Sequence, residues 1–234
     1  MSSKRYQQAL TLVDQKKTYS LEDAAALLKE MAPVKFDETV EASLSLTIDP
    51  SKTDQVVRGT VQLPHGTGKT ARVIVFCKGE NELIAKQAGA DYVGTTDLFQ
   101  KIQEGWLEFD VAIATPDLMR DVSRLGKILG PRGLMPNPKA GTVTEDVAKA
   151  IADVKKGKVE FKMDKLANLH VVIGRRSFTA AQLAENASVV LQAIARARPA
   201  SVKGKFIRRA SLASTMSPGI AVDMTPFLER EETE

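Results

Sequence analysis

VEASLSLTI, residues Val40–Ile48, alternates apolar and polar side chains without interruption. Val40, Ala42, Leu44, Leu46 and Ile48 fall on one side of an extended chain, and Glu41, Ser43, Ser45 and Thr47 fall on the other. Successive side chains of a strand point to opposite faces, so this spacing predicts a half-buried strand of an antiparallel sheet with one wet face. The run RVIVFC at Arg72–Cys77 is nearly all apolar, as a strand covered on both faces requires. The chain therefore needs two kinds of sheet.

Upstream of Val40, Lys4–Gln15 has a modest helical pattern. Ser20 is placed to cap a second helix, with Glu22 and Asp23 in its first turn, Leu21, Ala24, Leu27, Leu28 and Met31 as its apolar side, and Pro33 as its stop. Val56–Leu63 continues the strand-like alternation. From about Thr67 to Lys158 the texture changes to short strands at Arg72–Cys77, Asp91–Val93 and Val111–Thr115, each followed by helical sequence, at Asn81–Gln87, Asp97–Gln103 and Asp117–Leu125. Asp146–Lys156 supplies a closing helix. Repeated strand–helix units with short links imply a small parallel sheet with right-handed crossovers. After Gly157 alternation returns: Val159–Asp164 and Leu169–Ile173 read as a hairpin, Ala180–Ala197 as a helix and Lys205–Thr215 as a strand.

The β texture at both ends thus encloses the α/β texture in the middle. The expected fold is α+β and α/β in two domains: a discontinuous α+β domain with an antiparallel sheet, from residues 1–66 plus 159–234, and an inserted α/β domain with a small parallel sheet, from residues 67–158. Gly66, Gly68 and Gly157 lie at the two crossings, where the backbone bends easily, so hinging is expected there.

With 234 residues, 43% hydrophobic and 26% charged, the composition is that of an ordinary globular protein. No apolar run approaches the roughly 20 residues of a membrane span, and the start MSSKRYQQAL lacks the apolar stretch of a signal peptide. Cys77 stands alone, so no disulfide forms within the chain; it reads as a small buried hydrophobe of a reducing compartment, the cytoplasm. The net charge of +4 is mild, but its distribution is uneven. Residues 1–66 hold eight Lys/Arg against nine Asp/Glu, whereas residues 159–226 hold ten against four. Arg196, Arg198, Lys203, Lys205, Arg208 and Arg209 follow one another without an acid between them, partly on a predicted strand. A basic stripe on a rigid element suits a phosphate-binding face. The acidic tail Glu229–Glu234 is expected to be disordered.

Several chemistries fail on the residues themselves. GTGKT at Gly66–Thr70 resembles a phosphate loop, but the position for its first Gly is Leu63, and the segment leads into a strand instead of opening a helix. CKGENEL, after the first inner strand, lacks the GxGxxG of dinucleotide sites. His65 and His170 lie in separate segments without ligands at metal spacing or a nucleophile signature. His65 reads as a hydrogen-bonding group at the crossing; His170 reads as a strand residue facing either solvent or RNA. With only 5% aromatic residues, extensive base stacking is not expected. What remains is recognition of folded RNA by shape, phosphate and ribose hydroxyls, to which Ser211, Ser214, Thr215 and Ser217 beside the basic run are suited.

LGPRGLMPNPKAGTV, Leu129–Val143, holds Gly130, Gly133 and Gly141 with Pro131, Pro136 and Pro138, a composition that no helix interior or central strand tolerates. Its apolar Leu129, Leu134, Met135 and Val143 mark it as an ordered loop. Together with LPHGTGK at Leu63–Lys69 and STM at Ser214–Met216, it resembles the bacterial ribosomal protein L1 family, from about Tyr19 to about Val222. The resemblance implies the two-domain arrangement above, with the inserted domain Rossmann-like. It also implies a protein that is not an enzyme, carries no cofactor or metal, does not meet a membrane and is a monomer when free. Its implied partners are a three-way junction of 23S rRNA in the large ribosomal subunit, where the family forms a mobile stalk, and exit-site tRNA. Many bacterial members also repress their own operon by binding its mRNA. A plastid ribosome stays open beside the cytoplasmic one.

Carried over position by position, the implied RNA site is Phe36 and Thr39 in KFDET, Asp164 and Lys165 in MDK, His170, and Thr215, Met216, Ser217 and Gly219 in TMSPG. Lys165 can meet phosphate, Thr215 can bond a ribose hydroxyl, and Phe36 and Met216 can pack on sugars or bases. The sequence departs from the family's usual pattern at Ser217, commonly Gly, and at Met163 and Leu166–Ala167, which replace Asn before the Asp-Lys pair and Thr-Gly after it. Two competing classes stand beside this reading: a nucleotide-dependent enzyme using the inserted domain, and a free RNA chaperone or repressor.

Overall fold

The computed structural model describes residues 3–32, 34–202 and 204–228. Pro33, the expected helix stop, Lys203 of the basic run and the acidic tail from Glu229 lie outside the described residues. The chain runs α1 (Lys4–Leu12), α2 (Leu21–Glu30), β1 (Thr39–Leu46), β2 (Arg58–Gln62), β3 (Val73–Phe76), α3 (Glu80–Gln87), β4 (Tyr92–Gly94), α4 (Thr96–Gln103) and β5 (Val111–Ala114). It continues with α5 (Met119–Val122), α6 (Gly126–Leu129), α7 (Val147–Lys155), β6 (Lys158–Lys162), β7 (Asn168–Arg175), α8 (Ala180–Arg196), β8 (Ile207–Ser214), β9 (Ile220–Val222) and α9 (Thr225–Leu228). These fold into two compact units, one from the segments ending at Gly68 and beginning at Val159, the other spanning Lys69–Lys158.

The discontinuous unit is built on an antiparallel sheet of order β7-β1-β8-β9. Val40, Ala42, Leu44 and Leu46 of β1 are buried while the residues between them are half-exposed, as the period of two requires. Helices α2 and α8 pack against one another and onto the strands, contributing Ala24, Ala25, Leu28, Leu183, Ala187, Leu191 and Ile194 to the shared core. Both helices start on side-chain caps: Ser20 Oγ accepts from the Asp23 amide, and Thr179 forms a reciprocal capping box with Gln182.

The hairpin expected from Val159–Ile173 does not form. β6 pairs with β2 in a separate two-stranded sheet, and β7 pairs with β1. The physical reason is packing: Phe161 of β6 is buried against Gly59 of β2, where a Cβ would come within 2.7 Å of the ring. β9 is a short strand that the sequence patterns do not reveal, and Tyr19 bridges to it at Val222.

The other unit holds the parallel sheet β4-β3-β5. Every residue of β3 is buried. Ile74 and Phe76 join a core with α4 and the helical run after β5, while Val73, Val75 and Cys77 join another with α3 and α7. The helix expected at Asp117–Leu125 is instead a chain of short pieces, 3-10 turns at Pro116–Leu118 and Ser123–Leu125 alternating with α5 and α6. Ser123 Oγ donates to the Met119 carbonyl at 2.6 Å, a back-bond that bends helices. The Gly/Pro loop is pinned beside β5: the Ala114 amide donates to the Thr142 carbonyl at 2.9 Å, the Thr144 amide donates to the Ala114 carbonyl at 3.2 Å, and Leu134 and Met135 pack on the core. Trp106 packs with Tyr92 and Phe109, so these rings serve the interior.

At the crossings, Gly66, Gly68 and Gly157 all have positive φ. Gly68 also lacks room for a side chain, since a Cβ would lie 2.8 Å from Phe178. His65 binds Glu185 of α8 at 2.5 Å, and its amide donates to Asn186 Oδ1 at 3.1 Å.

Candidate nucleic-acid interface

The candidate residues divide into three groups along β1. At one end, Thr39 and Thr215 lock together: the Thr215 amide donates to the Thr39 carbonyl at 3.0 Å, and the Thr39 amide donates to Thr215 Oγ1 at 3.2 Å. Thr215 Oγ1 also donates to the Thr39 carbonyl at 3.3 Å. A hydroxyl offers one donor and two acceptor lone pairs, so one acceptor remains for an incoming hydroxyl. Met216 follows and is 47% exposed, and Phe36, on the segment before β1, is 54% exposed.

What aims this end of the sheet is Glu38, a fully buried residue of KFDET that the sequence does not single out beside Phe36 and Thr39. Its Oε1 accepts from Ser214 Oγ at 3.1 Å and from the Met216 amide at 2.9 Å, and its Oε2 accepts from Arg176 Nη1 at 2.7 Å. Arg176 in turn donates to the Met31 carbonyl at the end of α2. Buried charge survives only when paired and hydrogen-bonded, so Glu38 fixes the turn after β8 rather than facing a ligand. An acid flanked by candidate positions in the same motif was the available signal. Ser214, expected near RNA, is buried in this network. Ser217 Oγ accepts from the Ser214 amide at 2.8 Å and closes the turn. Gly219 takes no positive φ, and a Cβ there would sit in ordinary contact with Ser211.

Midway, His170 is exposed on β7, opposite Ser43, whose Oγ lies 3.1 Å from its Nδ1. Ser43 also faces Ser211 across β8, giving a row of small polar groups on the wet face. Glu41 stands 4.0 Å from His170, so this stretch is not itself basic.

At the far end, Asp164 organises the turn between β6 and β7. Its Oδ1 accepts from the Asn168 amide at 2.7 Å and the Leu166 amide at 2.8 Å. These bonds, the Asn168 amide foremost, hold its carboxyl below the usual carboxylate range. Asp164 thereby presents Lys165 and Leu166, both exposed, at the rim. Ala167 adopts φ 62°, the left-handed conformation that favours glycine.

Thr39 and Ser45, which pairs with Asn168, are six residues apart, a span of about 20 Å at strand rise. The candidates therefore form a strip, not a pocket. Among the described residues no group of His, Cys, Asp or Glu is placed to hold a metal ion, and no helix is long and apolar enough to cross a membrane.

The structure is that of a two-unit α+β and α/β protein with a polar strip on the wet face of its antiparallel sheet, and comparison with known sequences defines the family. Residues 28–218 match the Ribosomal protein L1p/L10e family, and the chain belongs to it. It is similar to the "Large ribosomal subunit protein uL1" of Salinispora arenicola, 55% identical over 94% of this chain and 93% of that protein. The proteins of the same name from Kosmotoga olearia and Saccharopolyspora erythraea are 54% and 56% identical, over 97% and 94% of this chain and 98% and 93% of theirs.

Proposed function

We propose that this protein is a structural, non-enzymatic constituent of the large ribosomal subunit that binds a three-way junction of 23S rRNA and forms a mobile stalk there. On this reading it contacts exit-site tRNA, and it represses its own operon by binding an mRNA of similar shape. The RNA site belongs to the discontinuous domain of residues 1–66 and 159–234, with Phe36, Thr39, Asp164, Lys165, His170, Thr215, Met216, Ser217 and Gly219 along it. The inserted domain, residues 67–158, is dispensable for recognition.

The observation that carries the reading is the strip of about 20 Å whose Thr39–Thr215 end is backed by buried Glu38. An open strip of that length suits several nucleotides of structured RNA, whereas small-molecule sites are concave pockets that bury most of their ligand. Small hydroxyls, an exposed Met and scattered cations suit a ribose-phosphate surface read by shape.

Filter binding of the full chain to a 23S rRNA junction fragment tests it. Thr215→Ala and Met216→Ala are each expected to weaken binding by roughly 1–3 kcal/mol, the first by leaving an RNA hydroxyl unpaired, the second by lost packing. Both variants folded and binding like the parent would sink the assignment. Equally tight binding by residues 67–158 alone would transfer the site to the inserted domain.

A further inference from the structure

A groove of about 620 Å³ lies in the discontinuous unit, between α1, the Lys16–Thr18 segment and strands β8 and β9. Lys16, Lys17, Lys205, Arg208 and Arg209 line it against a single carboxylate, Asp223, among the described residues. Asp223 is already engaged, accepting from the Thr225 amide and hydroxyl at 3.0 and 2.7 Å. No ion pair joins any of the five cations to a carboxylate among the described residues.

The backbone arranges this concentration of charge. Adjacent residues of a regular strand point to opposite faces, yet Arg208 and Arg209 are both exposed. The β1–β8 register shifts between Ser45 and Leu46, which pair with Arg209 and Ile207, so Arg208 is the extra residue of a bulge. Bulges re-aim side chains in this way. Lys17 Nζ lies 5.1 Å over the Tyr19 ring, which favours one position for that ammonium. The groove meets the strip described above, since Ser211 and Gly219 line it and Arg5 of α1 donates to the Met216 carbonyl at 3.0 Å.

Five cations facing a single carboxylate leave the groove strongly positive, and a polyanion relieves their mutual repulsion. Tyr6 is the only aromatic side chain on the described lining, so the groove suits a backbone rather than stacked bases. We propose that it holds the ribose-phosphate backbone of an RNA segment as that segment leaves the strip, giving affinity without sequence information. The inference rests on the RNA-binding reading of the strip.

The test uses the full chain and the rRNA junction fragment, titrated at several salt concentrations. Lys16→Gln/Lys17→Gln and Arg208→Gln/Arg209→Gln are each expected to lower affinity about tenfold near 0.15 M salt and to flatten the salt slope by about two units. Thr18→Glu, which adds a negative charge without removing a cation, is expected to weaken binding at an unchanged melting temperature. Both paired variants folded, with the parent's affinity and slope, would overturn the groove while leaving the strip in place. A parent that does not bind the fragment would overturn the strip, and the groove with it.

Discussion

Glu38 and Arg176 meet across 138 residues of chain, with Oε2 at 2.7 Å from Nη1; Glu38 is fully buried and the Arg176 side chain is 13% exposed. One carboxylate thereby ties the entry to β1, the end of α2, the segment after β7 and the turn carrying Met216. Removing one partner of such a pair leaves a buried charge uncompensated. Glu38→Gln and Arg176→Met are each expected to destabilise the discontinuous unit by about 3–5 kcal/mol, read by urea unfolding. A loss within about 1 kcal/mol in both would show that the pair is not buried in solution.

Lys165 stands exposed on the Asp164 turn. Lys165→Ala should weaken junction RNA binding and reduce the salt slope by about one unit, whereas Met216→Ala should leave the slope unchanged because no charge is removed. Identical slopes in the parent and Lys165→Ala would remove Lys165 from the phosphate contacts.

The resemblance read from the sequence leads to the expectation that Ser217→Gly is neutral or mildly favourable to binding. The hydroxyl's bond to the Ser214 amide gives stability a definite sign. Ser217→Gly is expected to lower stability by about 1 kcal/mol through the lost acceptor. A melting temperature at or above the parent's would refute this.

The Asp164 carboxyl titrates below its unfolded value, so its stabilisation is fully present above the unfolded pKa of about 4 and fades as pH falls through the folded one. Amide exchange at Leu166 and Asn168 should therefore accelerate relative to the β1 amides as pH drops below about 4. Equal protection ratios at pH 6 and pH 3 would contradict it.

Cys77 is wholly buried, and burial, with Glu82 adding to it, pushes its thiol up to about 11. Thiol reagents at pH 8 should leave it unmodified in the native protein and modify it fully in denaturant. Rapid native labelling would place it at the surface.

The periodicities by themselves determined most elements: alternation in VEASLSLTI fixed β1 to within a residue or two, and the apolar RVIVFC marked a strand covered on both faces. Both are local patterns, legible because strand geometry repeats every two residues. Phe36, Lys165, His170 and Met216, which the motifs single out, all stand at the surface. Tertiary structure decided what local pattern cannot encode. β6 joined β2 because Phe161 fits over Gly59, and no spacing within Val159–Ile173 reveals that partner. Glu38 reads as an ordinary surface acid until Arg176, Ser214 and the Met216 amide close around it. The bulge at Arg208 likewise exists only against β1, since register is a property of two strands together.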